Sequence, residues 1–194
     1  LCYCAKLMDH SCLLCYVTVV NGRVNMNMGE VIATTHAEES YMCKADLGGG
    51  GEVHYSYRYT SLGDYVIESA AVSISKANLN QGDSVTDSTR MYAWKLNKHV
   101  ENFAAGMIFG AKLGGRGSDP ANVFPQSEIV QKRYHTFEDR IHHCIHVSDD
   151  SVSALLRVDV TYQTVTDTRP HGLKYTVTFQ GNSKCRSTLL SFDN

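Results

Sequence analysis

Three histidines past the middle of the chain have the spacing of a metal site. His142, His143 and His146 lie close together, with Cys144 among them. On a helix, positions three and four apart share a face, so His146 would lie beside both other histidines, as zinc ligands do. Histidines in a last helical turn also complement the helix dipole and face solvent. Without an evident carboxylate partner the solvent-facing interpretation is favoured, although two aspartates follow closely, and no metal is expected.

Cysteines are the second chemically informative set. Four of the seven lie in the first fifteen residues, as Cys-x-Cys and Cys-x-x-Cys. A zinc knot usually has two Cys-x-x-Cys pairs, so disulfides are favoured over metal. Clustered cysteines and a first residue that is not Met predict a processed, secreted, extracellular protein. A cytosolic protein with reduced, buried cysteines is the alternative. The disulfide candidates are Cys2, Cys4, Cys12, Cys15, Cys43, Cys144 and Cys185.

Composition and charge limit the class of protein. The chain has 194 residues, of which 43% are hydrophobic and 20% charged, as in an ordinary globular domain. This length predicts a single domain over 1–194, with a cysteine-rich hairpin segment over 1–50. The net charge of −2 gives no global positive field that would draw the protein to nucleic acid. No run of 18 apolar residues occurs, so no membrane span or membrane partner is expected.

The elements that must position these residues are mostly strands. Asn21-Gly22 between two apolar runs predicts a β-hairpin over 14–28, and Gly-rich 47–52 predicts a loop. Apolar residues at helical spacing after Ser127 predict one main helix over 127–147. The fold class is therefore α+β with a mostly antiparallel sheet. Strands are predicted over 52–59, 65–75, 91–96, 153–165 and 174–180, and a polar loop over 77–89.

Two linked motifs precede and begin the helix. AAGM at 104–107 continues into MIFGAKLGGRG at 107–117, and NVFPQ at 122–126 leads into the helix, which carries FED at 137–139. With DTRPHGLKYTVTF at 167–179, these motifs resemble the DNA/RNA non-specific endonuclease family, whose active unit is the ββα-metal, or His-Me, finger. The resemblance covers about 90–180 and implies a nuclease-like core there.

The resemblance also implies which residues should do the chemistry, and several are altered. The family places a histidine, the general base, after the glycine of AAGM, and here Met107 follows Gly106. An acidic residue is expected just before that glycine, where this chain has Phe103-Ala104-Ala105. The metal-binding asparagine corresponds to Ile129 or Gln131, and the extra methylene of Gln131 would displace a metal. The resemblance therefore predicts a catalytically degenerate member, in which His99 or His135 are possible substitute bases.

Four basic residues would flank the former phosphate site if the resemblance holds. Lys112 and Arg116 lie in the Gly-rich stretch, and Lys132 and Arg133 lie on the predicted helix. They are candidates for residual phosphate contacts, which would make nucleic acid a weak partner. Four cations near a glycine-rich loop also form ordinary solvated surface.

Three functions remain open at this point. The favoured one is a secreted, disulfide-bonded pseudo-nuclease with a structural, assembly or binding role and no cofactor. The second is an active Mg²⁺-dependent nuclease with an unconventional general base. The third is a zinc-binding module. In the favoured case the apolar, cysteine-rich N-terminal segment is expected to make contacts between chains.

Self-association can be tested directly. Because seven cysteines cannot all pair within one monomer, we expect a cross-linked species on non-reducing gels and an oligomeric mass by light scattering. Reduced samples on the same gel are the control. A single monomer band without reductant, together with a monomeric mass in solution, would refute the expectation.

Overall fold

A seven-stranded sheet forms the main layer of the protein. The computed structural model describes residues 40–60, 63–98, 103–181 and 185–194, and the backbone of three short strands before them. The strands of the sheet are β1 (Leu13–Tyr16), β4 (Tyr41–Asp46), β5 (Glu52–Tyr59), β6 (Tyr65–Ser75), β9 (Ser153–Thr161), β10 (Gly172–Gln180) and β11 (Thr188–Asp193). Their order is β1-β4-β5-β6-β9-β10-β11, and every neighbouring pair is antiparallel.

One face of this sheet is buried. In β9, Ala154, Leu156 and Val158 have no exposed surface, whereas Leu155 between them is 42% exposed. Successive side chains of a strand point to opposite faces, so this alternation marks a sheet covered on one side. The strands predicted over 52–59 and 65–75 are confirmed, and the strand predicted over 153–165 ends at Thr161.

The longer of the two described helices covers part of that buried face. Helix α2 (Glu128–Val147) begins after Ser127, whose hydroxyl accepts a hydrogen bond from the Val130 N–H. It packs on the sheet through Tyr134, whose ring stacks on Tyr175 of β10 with 4.5 Å between ring centroids. Fully burying one such large side chain contributes about 1.5–3 kcal/mol. The main predicted helix is confirmed, and so is the α+β class. Neither described helix is long and apolar enough to cross a membrane.

The strand predicted over 91–96 is wrong, because these residues are helical. Residues 91–96, predicted as a strand, belong to α1 (Asp87–Leu96), which also takes the end of the predicted 77–89 loop. Thr86 caps it by accepting a hydrogen bond from the Thr89 N–H. Its buried side chains, Thr89, Ala93 and Leu96, are spaced by three and four residues. That helical period outweighs the apparent alternation of MYAWKL.

A separate hairpin leads into α2. Strands β7 (Ala104–Met107) and β8 (Val123–Gln126) pair antiparallel, with Gly106 opposite Phe124. Residue 127 is the only one between β8 and α2, so the chain runs strand, loop, strand, helix. The order of elements is therefore ββα, as the family resemblance implied.

The N-terminal part of the chain holds a second hairpin. Strands β2 (Thr18–Val20) and β3 (Arg23–Asn25) pair antiparallel with Val20 opposite Arg23, which confirms the predicted hairpin. Its turn, Asn21-Gly22, lies outside the described residues.

The loop between β7 and β8 is held by one buried asparagine. The Asn122 carboxamide oxygen accepts a hydrogen bond from the Phe109 N–H at 2.9 Å. Its Nδ2 donates to the carbonyl oxygens of Phe109, at 2.9 Å, and Arg116, at 3.1 Å. Asn122 has no exposed surface, so these three bonds fix the loop from inside.

Disulfides join distant parts of the fold. Cys144, near the end of α2, is bonded to Cys185, which precedes β11 and lies 41 residues away in sequence. Cys43 in β4 is also disulfide-bonded, and its partner is outside the described residues. The predictions that Cys2, Cys4, Cys12 and Cys15 form disulfides concern side chains that lie outside the described residues. Because the Cys144 sulfur is in a disulfide, it is not available as a zinc ligand.

Replacing Asn122 should destabilise the fold. Asn122→Ala leaves the Phe109 N–H and carbonyl groups without their side-chain partner in a buried loop, and the Arg116 carbonyl keeps only its bond from the Asp119 N–H. We expect a cost of about 2–4 kcal/mol in the free energy of unfolding. Urea unfolding monitored by circular dichroism measures this cost. Gln81→Ala, at an exposed loop residue, is the control. A cost below about 0.5 kcal/mol for Asn122→Ala, the range of surface substitutions, would show that the loop is not held by this side chain.

Candidate functional site

The ββα unit encloses a pocket of about 300 Å³, here called the corner pocket. Its walls come from β7, from the loop after β7, from α2 and from the residues before α1. The lining includes Ser84, Val85, Ala105, Met107, Gly110, Lys112, Gln131, His135 and Glu138. Both altered positions, Met107 and Gln131, therefore line the same pocket, whereas Ile129 is 75% exposed on the helix surface.

Strand β7 contributes side chains that cannot take a proton at neutral pH. Met107, its last residue, is half-buried and presents a thioether. The Ala105 methyl group lines the pocket two residues earlier. General base catalysis needs a proton acceptor within hydrogen-bond reach of the attacking water. Neither of these side chains on β7 provides one.

Helix α2 supplies the polar side of the pocket. Gln131, His135 and Glu138 are spaced by four and three residues, so they follow one face of the helix. Gln131 is half-buried and His135 is exposed. Two histidines were suggested by the sequence as substitute bases. One of them, His135, lines the corner pocket. The other, His99, lies outside the described residues.

Glu138 is the least expected residue of the site. It is 4% exposed, and its carboxylate accepts a hydrogen bond from the Gly110 N–H. Burial raises the pKa of Glu138 to about 7. The hydrogen bond from Gly110, the Tyr134 hydroxyl and the charge of Lys112 act in the opposite direction and lower this pKa, but burial has the larger effect. At neutral pH this carboxyl group therefore exists in both protonation states.

Glu138 and Gln126 explain two of the glycines in the motif. A Cβ on Gly110 would lie 2.2 Å from a carboxylate oxygen of Glu138. A Cβ on Gly106 would lie 2.3 Å from Oε1 of Gln126, a residue that is 1% exposed. A larger residue at either position would displace a buried side chain, whatever chemistry the pocket performs.

The four basic candidates do not converge on the corner pocket. Lys112 lines it and forms an ion pair with Asp139 at the rim. Arg116 pairs with Asp83 at 3.5 Å. Lys132 is exposed on α2. Arg133 lies with its guanidinium 5.4 Å from the centre of the Phe192 ring, beside a different pocket. Of the four, Lys112 alone lines the corner pocket.

The oxygen donors of this pocket are a poor match to a magnesium site. Mg²⁺ is usually held by one or two carboxylates in octahedral geometry. The carboxylates of the described lining are Glu138 and Asp139, and one oxygen of each is already bonded, Oε1 of Glu138 to the Gly110 N–H and Oδ1 of Asp139 to the Lys112 ammonium group. A divalent ion held by these side chains would compete with both contacts.

The histidines near the end of α2 do not form a zinc site with their neighbours. His142 and His146 stack, with 5.9 Å between ring centroids, and His143 is exposed. Burial, followed by the nearby His146, lowers the pKa of His142. Among the described residues, no group of three or more His, Cys, Asp or Glu side chains is arranged to hold a metal.

The sequence contained a signal for Glu138 that was not assigned a role. The FED motif of α2 includes it, and it follows Gln131 by seven residues, two helical turns. Its importance depends on the loop after β7 returning to the helix at Gly110, 28 residues away. That contact cannot be inferred from helical spacing.

Comparison with known proteins gives one partial similarity. The chain is 40% identical over 73 residues to a probable deoxyribonuclease RhsA of Dickeya dadantii (strain 3937). The match includes 37% of this chain but 5% of that much longer protein. No family model matches the chain. The similarity relates part of this chain to part of a nuclease.

The raised pKa of Glu138 predicts a pH-dependent stability. The folded state holds this proton more tightly than the unfolded state, in which the pKa is near 4.5. The free energy of unfolding therefore falls as pH rises from about 4.5 to about 7, and the loss persists above pH 7. Glu138→Gln should remove this pH-dependent loss of stability. The variant should be more stable than the wild-type protein by up to about 3 kcal/mol at pH 8, with little difference at pH 4.

Urea unfolding at pH 4, 6 and 8 tests this expectation. Glu128→Gln, on the exposed first turn of α2, is the matched control and should change the pH profile little. Equal pH profiles for the wild-type protein and Glu138→Gln would show that Glu138 is not the buried titrating group.

Proposed function

We propose that this chain is a catalytically degenerate member of the DNA/RNA non-specific endonuclease family, which retains the ββα scaffold and serves a structural, assembly or binding role. One observation carries the proposal. Met107 lines the corner pocket directly after Gly106, at the position where the family resemblance implies the general base. Gln131, in place of the metal-binding asparagine, lines the same pocket.

The environment of these residues supports the proposal. Phosphodiester hydrolysis needs a base for the attacking water and a positive centre for the charge developing on the phosphate. Met107 provides no base, and Lys112, the cation of the described lining, is in an ion pair with Asp139. The Glu138 carboxylate accepts a hydrogen bond from the Gly110 N–H. Its hydrogen bond joins the helix to the loop, which is a structural role.

An oxidising, extracellular location and self-association are part of the same proposal. The Cys144–Cys185 disulfide is compatible with an oxidising compartment. Strand β1, which belongs to the cysteine-rich segment, lies at one edge of the sheet among the described strands. An edge strand can pair with a strand of another chain, which supports a role for this segment in assembly.

A second candidate function, an active nuclease with an unconventional base, is favoured by one observation. His135 lies in the corner pocket one helical turn after Gln131 and close in sequence to Glu138. An imidazole in this pocket is the type of side chain that serves as a general base for an attacking water. A cleavage assay on DNA and RNA separates this candidate from the proposed function.

We expect the purified protein to leave plasmid DNA and RNA intact with Mg²⁺ or Mn²⁺. Loss of a general base alone lowers a rate by about 10²–10⁴-fold. Gel assays with and without EDTA measure cleavage. Metal-dependent cleavage at a rate comparable to ordinary secreted nucleases, abolished by EDTA, would contradict the proposal.

The variant His135→Ala identifies the source of any cleavage. If the second candidate is correct, this substitution lowers the rate at least about 100-fold, whereas His143→Ala, at another exposed histidine of α2, leaves it unchanged. Cleavage that survives both substitutions would point to a contaminating nuclease.

A further inference from the structure

A second and larger pocket lies on the other side of α2. It has a volume of about 680 Å³ and shares no lining residue with the corner pocket. Its helix residues include Arg133, Phe137, Arg140 and Cys144, which the 3.6-residue period places roughly opposite Gln131, His135 and Glu138. Strands β10 and β11 and the segment before β11 form the other wall. We call it the arginine pocket.

The floor of the arginine pocket is apolar. Phe137 and Ile141 of α2, Val177 of β10 and Phe192 of β11 are buried there, and Phe179 and Leu190 are half-buried. A volume in this range and a mainly hydrophobic lining are typical of sites for drug-sized ligands. The floor therefore suits an aromatic or aliphatic group.

Three exposed arginines surround this floor. Arg133 and Arg140 are two turns apart on α2, and Arg186 lies on the segment before β11. The described lining contains no Asp or Glu. Within the described part of the chain, none of the three forms an ion pair. Seven other described cations each lie within 4.0 Å of a carboxylate: Lys44, Arg58, Lys76, Lys95, Lys112, Arg116 and Arg157. The cations of the described residues that form no ion pair and lie outside this pocket are Arg90, Lys98, Lys132, Arg169 and Lys174.

The convergence of three arginines on one pocket without a carboxylate in its described lining indicates what the pocket would bind. In a protein of net charge −2, three arginines without carboxylate partners around one apolar floor form a local positive potential. A guanidinium group binds planar anions through two parallel hydrogen bonds. Arg133 also rests over the Phe192 ring, which keeps its charged group beside the floor.

We propose that the arginine pocket binds a small amphipathic organic anion. The apolar body of the ligand packs on the floor formed by Phe137, Val177 and Phe192. Its carboxylate, sulfonate or phosphate group is held by the arginines at the rim. This site is independent of the corner pocket and of whether the protein cleaves nucleic acid.

The Cys144–Cys185 disulfide completes the site. Both cysteines line the pocket, and their bond fixes the segment that carries Arg186 against the end of α2. Without the bond, Arg186 would be held to the helix by fewer constraints, and the ordering of its side chain would oppose binding. The disulfide is therefore a positioning element for the anion site.

The experiment uses 8-anilinonaphthalene-1-sulfonate as the probe, titrated against the intact oxidised protein at neutral pH. We expect saturable binding at one site per chain by calorimetry and fluorescence. N-phenyl-1-naphthylamine, which has the same rings without the sulfonate, should bind at least about tenfold more weakly, since charge-assisted hydrogen bonds are lost. Octanoate should displace the probe.

Variants assign the binding to named residues. Arg140→Ala and Arg186→Ala should each weaken probe binding by about tenfold, the effect of losing one hydrogen bond to a charged group. Arg140→Lys should retain part of the affinity. Arg157→Ala removes an exposed arginine of β9 outside the pocket and should change nothing. The double variant Cys144→Ser with Cys185→Ser should bind more weakly, and so should Leu190→Glu, which adds a negative charge beside the floor.

Several results would overturn the proposal. Equal affinity for the two probes would mean a purely hydrophobic surface. Unchanged binding in the combined Arg140→Ala and Arg186→Ala variant would place the probe elsewhere. Displacement by a poly-glutamate peptide but not by octanoate would assign the surface to an acidic polypeptide. A cooperative thermal transition in each variant ensures that the comparison is between folded proteins, because this probe also binds loosened states.

Discussion

The position of helix α2 depends on Tyr134, and both pockets depend on the position of α2. The Tyr134 ring stacks on Tyr175 of β10 and meets the edge of Phe192 on β11. Its hydroxyl donates a hydrogen bond to the Ile108 carbonyl oxygen, just after β7. One buried side chain thus joins the helix to the sheet through its ring and to the β7–β8 loop through its hydroxyl. Aromatic burial supplies the stability, and the hydroxyl sets the rotation of the helix.

Retention of the glycine motif can be understood without catalysis. A Cβ at Gly110 or Gly106 would meet Glu138 or Gln126, so one of these buried side chains would have to shift. Asn122 has no exposed surface and bonds only to loop backbone. Residues that make the sequence resemble a nuclease therefore also serve packing. Under the proposed function, these packing requirements would remain after loss of the general base and metal ligand, and they would explain why the scaffold is kept.

The sequence predicted what short-range periodicity can encode. The main helix and the strands at 52–59 and 65–75 are repetitive and long, and each lies where it was expected. Helix α1 was missed because Met91 and Trp94, its large apolar residues, are exposed, whereas its buried face is made of small or polar side chains apart from Leu96. The family resemblance singled out Met107 and Gln131, and both line the corner pocket. Glu138 was not, because its partner Gly110 is brought to it only by the tertiary fold.

The arginine pocket also could not be predicted from the sequence, because its residues are brought together by contacts between distant parts of the chain. Arg133 and Arg140 share a helical face, but Arg186 lies 46 positions further along and reaches them only because β10 and β11 pair and Cys144 bonds Cys185. Seven cysteines allow many pairings, so the bond that closes this pocket cannot be read from spacing. Composition is equally uninformative, since a net charge of −2 conceals a region where positive charge has no partner among the described residues. Like charges on one surface raise the local positive potential, which an anion would lower. Other described cations, such as Arg90, Lys132 and Lys174, also form no ion pair, but they do not surround a common apolar floor. What distinguishes Arg133, Arg140 and Arg186 is that all three line one pocket whose described lining has no carboxylate, and an anionic group on an apolar ligand would balance that charge.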